Sequence, residues 1–402
     1  MKKYLTLILF VVLLAPLHAQ EEEYVKKPFS FARQHFEFGF DAGAGFANDL
    51  FGFRDFFQKD ILIDLNKIES DVGSDGFNMR ADVLADFFIN IMNLKIFGGS
   101  WNFGVYGEAT GNVALNLPKS IFTLINKGNF NQRTFSGMIS ASGGVYAETA
   151  FKAVAKYSKL QIGVTPALFS PILYMPKSGI NYHLDTNDGV YLKSDGEIVV
   201  YGNSLIIQNG EQNYGFDLSA YGQYSLFSFL DIGGRVSHIP LAPAVLNNRM
   251  RLVMEEVDFG LSGQQLMNGD DIQFPEVNFN EEYDTAKVKV IRPLRFDIYA
   301  RLKPFGGSEI LVFTPNAGFT IDFGAEDKFF NWGIEARLNL VNLFVPYVSI
   351  NREEGVWRNH LGFAFNLRVF ELDLEGTLQS QSFKGSFTMQ GFAFKAGIRF
   401  GW

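Results

Sequence analysis

The chain has 402 residues, a formal charge of −8 and no cysteine. The acidic balance argues against nucleic acid as a partner, and the missing thiols exclude disulfides, thiolate metal sites, a cysteine nucleophile and a lipid anchor on an N-terminal cysteine. Phe (43) and Gly (40) are in excess while mean hydropathy is only +0.04, as expected of a wall with aromatics on one side and small or polar residues on the other.

Lys2 and Lys3 precede an apolar run from Leu5 to Ala15, and Ala19 offers a cleavage position, so residues 1–19 read as a secretory signal peptide. Beyond them no apolar run reaches the roughly 18 residues of a membrane helix. A membrane form must then be a closed sheet. Residues 20–35 are polar and read as a periplasmic N-terminal segment. Residues 36–402 read as all-β: a single antiparallel transmembrane β-barrel of about 14 strands, with short helices in its loops.

Strand one alternates Phe36, Phe38, Phe40 and Phe46 with Glu37, Gly39, Asp41 and Gly45. The loop 47–76 carries Phe53, Phe56, Phe57, Leu62, Leu65 and Ile68 at near-helical spacing. Strands two and three fall near Phe77–Ile91 and Trp101–Leu115. The loop 116–134 holds Pro118 ahead of an apolar stripe closed by Lys127-Gly128, a capped short helix. Strand four runs near Ser136–Tyr157, and strand five ends near Phe169. The loop 170–213 is predicted to contain a hairpin with arms Gly189–Leu192 and Glu197–Tyr201. Strand six puts Asp217 inward, and strand seven Asp231 and Arg235. The loop 240–290 is acidic in its second half, from Glu255 to Asp284. Strand eight faces Arg295, Asp297, Arg301 and Lys303 inward, opposite Phe296 and Ile298. Strand nine ends near Asp322. Strand ten places Glu335 and Arg337 inward, with Trp332 and Ile334 outward. Strands eleven and twelve lie near Phe344–Asn351 and Val356–Val369. The apolar phase then flips at Val369-Phe370, which marks a tight turn. Strand thirteen turns Glu371, Asp373 and Glu375 inward. The last strand sets Phe392, Phe394, Ile398, Phe400 and Trp402 on one face and Lys395 and Arg399 on the other.

That aromatic ending resembles the C-terminal assembly signal of bacterial outer-membrane barrels, which implies the barrel-assembly machinery as a partner and the cell outer membrane as the location. The segment Leu117–Asn129 resembles a recurrent one in uncharacterised outer-membrane barrel proteins of diderm bacteria. A fourteen-strand barrel with helical insertions also looks like the long-chain fatty-acid transporter type, whose N-terminal segment plugs the lumen. Here the charged stretch before strand one is too short to make that plug, and loops 47–76 and 116–134 are the candidates to replace it.

The connections sort by parity. Short ones centre near residues 96, 158, 228, 306, 342 and 369, and the four long ones alternate with them. A barrel with both termini in the periplasm requires that sorting; a soluble sandwich does not.

Chemistry is sparse. His18, His35, His183, His238 and His360 show no metal-ligand spacing, and no Gly-x-Ser-x-Gly elbow occurs. Asp185 to Gly189 begins like a calcium loop but lacks the closing Glu. No catalytic residue, metal or cofactor is expected, and the chain does not read as an enzyme. The inward charges are candidates either for a pore wall or for cross-strand ion pairs in a filled barrel. The functional expectation is a porin or transporter passing a small polar or hydrophobic solute across the outer membrane, in contact with its lipid. The alternative is a surface-exposed structural or adhesive barrel whose loops bind a partner.

Overall fold

The computed structural model describes residues 35–48, 72–73, 76–127, 134–187, 189–203, 213–262, 278–324, 327–367, 369–388 and 390–402. The elements in chain order are β1 (Phe36–Asn48), β2 (Phe77–Ile96), β3 (Gly99–Leu117), the helix α1 (Lys119–Lys127), β4 (Thr134–Tyr157), β5 (Leu160–Asp185), β6 (Gly189–Gly202), β7 (Gly215–Phe227), β8 (Leu230–Ala242), β9 (Ala244–Leu246), β10 (Arg249–Ser262), β11 (Phe279–Asp284), β12 (Val288–Val290), β13 (Leu294–Leu302), β14 (Leu311–Asp322), β15 (Asp327–Leu338), β16 (Phe344–Glu353), β17 (Val356–Leu367), β18 (Phe370–Ser380) and β19 (Phe392–Gly401).

Fourteen of these strands close a ring, every neighbour antiparallel: β1 to β5, then β7, β8 and β13 through β19, with β19 returning to β1. The closing register sets Phe38 opposite Phe400 and Ala42 opposite Ala396. Closure leaves no edge whose backbone groups would stand unsatisfied in hydrocarbon. Phe40, Phe87, Val105, Phe151, Ile298, Phe319, Ile334, Leu361 and Phe394 all point outward and are exposed. An apolar belt of that extent on a chain of ordinary mean hydropathy is a surface made for lipid.

The turns at one rim are tight. Phe97 and Gly98 have φ of 51° and 75°, and Ser158 has φ of 51°. This rim also holds both ends of the ring, where Trp402 lies against Phe36 with ring centroids 4.7 Å apart. Phe227 stacks on Phe229 at 5.3 Å along the same rim. The long connections, between β1 and β2, β3 and β4, β5 and β7, and β8 and β13, all leave the opposite rim, which also holds the tight β16–β17 turn at Glu354-Gly355.

The wall is uneven. β4 and β5 have 24 and 26 residues, whereas β13, β16 and β19 have 9, 10 and 10. Ten tilted strand residues rise about 25 Å, the height of an apolar band, so β4 and β5 reach about twice as far.

Here the structure corrects the sequence reading. Strand five does not end near Phe169. Its first half, Leu160 to Phe169, pairs with β7, and its second half, from Leu173 on, pairs with β6. Pro171 sits beside the register shift at Val145/Tyr146, and a further shift between Tyr174 and Gly179 spans Pro176. Bulges admit prolines that regular ladders refuse. The two expected hairpin arms at 189–192 and 197–201 are one strand, β6; the true hairpin joins β5 to β6. The 240–290 excursion likewise contains β9 to β12. Together β6, β10 and β11 form a sheet growing out of the tall wall. Its inner face buries Tyr174, Val199 and Tyr201 against Ala244, Leu246 and Val290 of the β9–β12 ribbon. Its outer face buries Leu173, Met175 and Val200 with Ala141. Arg249 to Asp284 (2.5 Å), and Arg251 to Glu197 (2.5 Å) and Glu282 (2.7 Å), tie its strands together.

The expected helix after Pro118 is α1. The helix expected within 47–76 falls mostly outside the described residues, as does the signal peptide. Among the described residues no helix is long and apolar enough to cross a membrane.

Candidate functional site

Period-two alternation in a closed ring sends every second side chain inward. In this barrel many of those side chains are charged, buried and joined to one another. One run of ion pairs crosses the lumen. Arg80 of β2 reaches Asp82 at 2.7 Å, Asp82 meets Arg358 of β17 at 3.5 Å, and Arg358 meets Glu353 of β16 at 2.9 Å. Glu353 meets Arg295 of β13 at 3.5 Å, Arg295 meets Asp297 at 2.8 Å, and Asp297 meets Arg235 of β8 at 2.9 Å. Arg80 also pairs with Glu354 in the β16–β17 turn. In ring order β2 and β8 are separated by β3, β4, β5 and β7. The run reaches between them through two links that span non-neighbouring strands, β2 to β17 and β16 to β13, while Arg358–Glu353 and Asp297–Arg235 join neighbours. Four guanidinium groups and four carboxylates alternate along it, which is how charges so deeply buried remain compensated.

Further clusters fill the rest of the interior. Arg292, just ahead of β13, forks onto Asp217 through two bonds of 2.8 Å and also meets Glu148 of β4. Its guanidinium lies over the Phe169 ring at 4.9 Å. Asp231 takes Lys303 at 2.8 Å and Arg301 at 3.6 Å. Glu335 pairs with Arg337 at 3.0 Å, and Arg337 sits over the Tyr347 ring. Arg399, 1 % exposed, joins Asp41 of β1 (3.4 Å) to Glu371 of β18 (3.6 Å). The Tyr347 hydroxyl donates its one proton to Glu375 at 2.8 Å, with Asp373 as the alternative acceptor at 3.1 Å. Lys395 is half-buried opposite Glu375 in the β18–β19 register.

Among the inward candidates of the sequence, the structure brings Arg235, Arg295 and Asp297 into the crossing run and distributes the others among the smaller clusters. Sequence reasoning missed the other five members of the run: Arg80, Asp82, Glu353, Glu354 and Arg358. It also missed Arg292 and Glu148. Arg80 and Asp82 do stand two apart in strand two, on one face, and that spacing was the available signal. His360 lies inside β17: its Nδ1 is 2.8 Å from Glu375, and it is 4 % exposed. Asp185 holds the β5–β6 turn by accepting bonds from the backbone N–H and the side-chain amide of Asn187, at 2.9 and 2.7 Å. No cluster of three metal-ligating side chains occurs among the described residues.

On the last strand Phe392, Phe394, Ile398, Phe400 and Trp402 are exposed on the outer face. Phe400 packs between Phe38 (5.4 Å) and Phe370 (5.3 Å).

A family model described as a family of unknown function, DUF5723, matches residues 32–229. No curated protein matches the sequence. Among solved structures, a deltaS2S3 mutant of the monoaromatic hydrocarbon channel TodX is 9 % identical, covers 96 % of this chain and 95 % of its own, and gives a TM-score of 0.49. The toluene transporter TbuX of Ralstonia pickettii is 9 % identical, with coverage of 92 % and 90 % and a TM-score of 0.48. A FadL homologue from Pseudomonas aeruginosa is 9 % identical, with coverage of 93 % and 92 % and a TM-score of 0.45. The closed barrel described above rests on its own strand pairing, not on these similarities.

Proposed function

We propose that this chain is an outer-membrane barrel that passes a small solute, and that the crossing run of ion pairs is its gate. The observation that carries this reading is the pairing of an exposed apolar belt outside with an interior rich in buried, mutually paired charges. Lipid explains the first, and a path for solutes explains the second. A barrel kept only as an anchor gains nothing from buried charge, because replacing buried ion pairs with packed apolar residues is often neutral or stabilising. The inward residues from Asp217 to Arg399 are then the walls of the path, held shut by mutual pairing. Solute movement requires the pairs of the run to exchange partners. The chain acts as a conduit and not as an enzyme. The exposed aromatic face of β19 serves as the assembly signal, and the tight turns face the periplasm.

The reading is tested by reconstituting the mature chain in liposomes and following swelling in isotonic small solutes. Solute-dependent swelling that falls with solute size supports it. Liposomes as tight as protein-free ones, from a preparation that still shows a heat-dependent gel shift, would remove it. The β6–β10–β11 outgrowth favours a second reading, a surface barrel that presents this sheet to a partner, because Tyr191, Phe279 and Tyr283 are exposed on it. Deleting the outgrowth separates the two: a conduit keeps its swelling activity, whereas a presenting barrel has none to keep.

A further inference from the structure

The ion-pair run divides the lumen. Between the run and the tall wall of β3, β4 and β5 lies a cavity of ≈ 100 Å³, room for several waters or one small polar molecule. Its composition is unusual for a space inside a lipid-embedded wall. Four guanidinium groups line it (Arg80, Arg292, Arg295, Arg358), and so do four carboxylates (Asp82, Asp322, Glu353, Glu354). The charges cancel, and seven of the eight already sit in the ion pairs described above. A charged solute would gain no net attraction and would have to compete with those pairs. A hydrocarbon would strip water from eight ionic groups and return no hydrogen bonds, an unfavourable exchange. A neutral molecule carrying many hydroxyls meets donors and acceptors in every direction, together with the amide of Asn112 and the hydroxyls of Thr110 and Thr320.

Two tyrosines supply the remaining element. Tyr146 and Tyr174 enter the cavity from β4 and β5 beside the bulges that distort those strands. Bulges re-aim side chains next to binding sites. Small backbone neighbours fix both rings. A Cβ on Gly144 would collide with the Tyr146 hydroxyl, and one on Gly324 with that of Tyr174. Aromatic side chains at the edge of a polar cavity suit a polyol, which carries C–H groups beside its hydroxyls.

The geometry points to a binding site for a neutral polyol of monosaccharide size, set against the gate. The assignment rests on the transport reading and names its solute class. Because Arg80, Arg358 and Glu353 belong to both cavity and run, a polyol that hydrogen-bonds them offers the replacement partners that opening requires.

The test is saturation-transfer NMR on the full mature chain in detergent, with D-glucose, D-glucose 6-phosphate and toluene as probes. Glucose ring protons should receive saturation. Glucose 6-phosphate should give a signal at least fivefold weaker, and toluene should not displace glucose. Ser142→Trp, which fills the cavity, should lower the glucose signal at least tenfold while the heat-dependent gel shift persists. Should that variant fail to fold, Tyr174→Ala removes one of the two rings at the cavity and should lower the signal at least threefold. Displacement of glucose by toluene, a stronger signal from the phosphorylated sugar, or a glucose signal unchanged in the folded variants overturns the assignment. Swelling in glucose separates the two claims. Binding without swelling removes the transport reading and leaves the site standing; swelling without binding removes the site.

Discussion

Arg358→Leu takes out the middle of the crossing run. Arg358 is 3 % exposed, and its partners Asp82 and Glu353 are 4 % and 8 % exposed. Leucine fills part of the space but leaves two buried carboxylates each short of a cation. Breaking a buried pair from one side costs about 3–5 kcal/mol. Asp82 keeps Arg80 at 2.7 Å and Glu353 keeps Arg295 at 3.5 Å, so the lower end, about 3 kcal/mol, is expected. Urea unfolding of the barrel in lipid vesicles, followed by tryptophan fluorescence, measures it; Trp357 adjoins the site in sequence. Adding Asp82→Asn to Arg358→Leu removes one of the stranded charges. The double variant should then be more stable than the sum of the singles predicts, with a coupling of about 1–3 kcal/mol. A cost for Arg358→Leu within about 0.5 kcal/mol, the range of ordinary surface changes, would refute the claim that the run is a buried, mutually compensating unit.

Other consequences can be measured independently. Ile298 is 53 % exposed on the outer face, and Ile298→Arg near mid-membrane should cost about 2–4 kcal/mol in the same unfolding assay; a change below about 1 kcal/mol would place that face away from lipid. The chain has no native cysteine, so Ala42→Cys with Ala396→Cys should form a disulfide in the assembled protein, as their register positions face each other, while Ala42→Cys with Leu374→Cys should not. Truncation before Phe400 removes both closing contacts and the exposed aromatic end, and the shortened chain should fail to show the heat-dependent gel shift; normal migration would contradict the assembly role. In the outgrowth, hydrogen bonds from Arg249 and then from the Ala286 N–H hold the Asp284 carboxyl below the usual carboxylate range. Its folded value is the lower one, so its contribution is present above about pH 4 and is lost as pH falls through the depressed value. Hydrogen exchange in β10 and β11 should accelerate in acid, modestly and less so in high salt because the pair is exposed; acid-independent protection of both strands would count against it.

Much of this molecule was legible because a barrel imposes two simple periodicities. Alternation along β19 separated Phe394 and Ile398 from Lys395 and Arg399 with no knowledge of neighbours. The parity of turn lengths identified the terminal rim. The branch at β5 was not legible, since Ser170-Pro171 breaks the alternation as a loop would, and only the bulge across from Tyr146 lets the strand continue. The crossing run was hidden for another reason. Its two long links, Asp82 to Arg358 and Glu353 to Arg295, join strands that are not adjacent in the ring, and sequence alternation says which way a side chain points but not how far across the lumen it reaches. Arg292 sits in a Pro-flanked connection ahead of β13, where no alternation exists to flag it. Its role follows from the position of Asp217, which sequence did mark as inward.

The claim that the ion-pair run gates a solute path is tested most directly by planar-bilayer conductance, comparing the native chain with Arg358→Leu under the same voltage and salt. A run that acts as a gate keeps the native protein closed for most of the record with brief openings, and the variant's open fraction rises at least tenfold. A steady open current from the native chain, or silence from a folded variant, would contradict it.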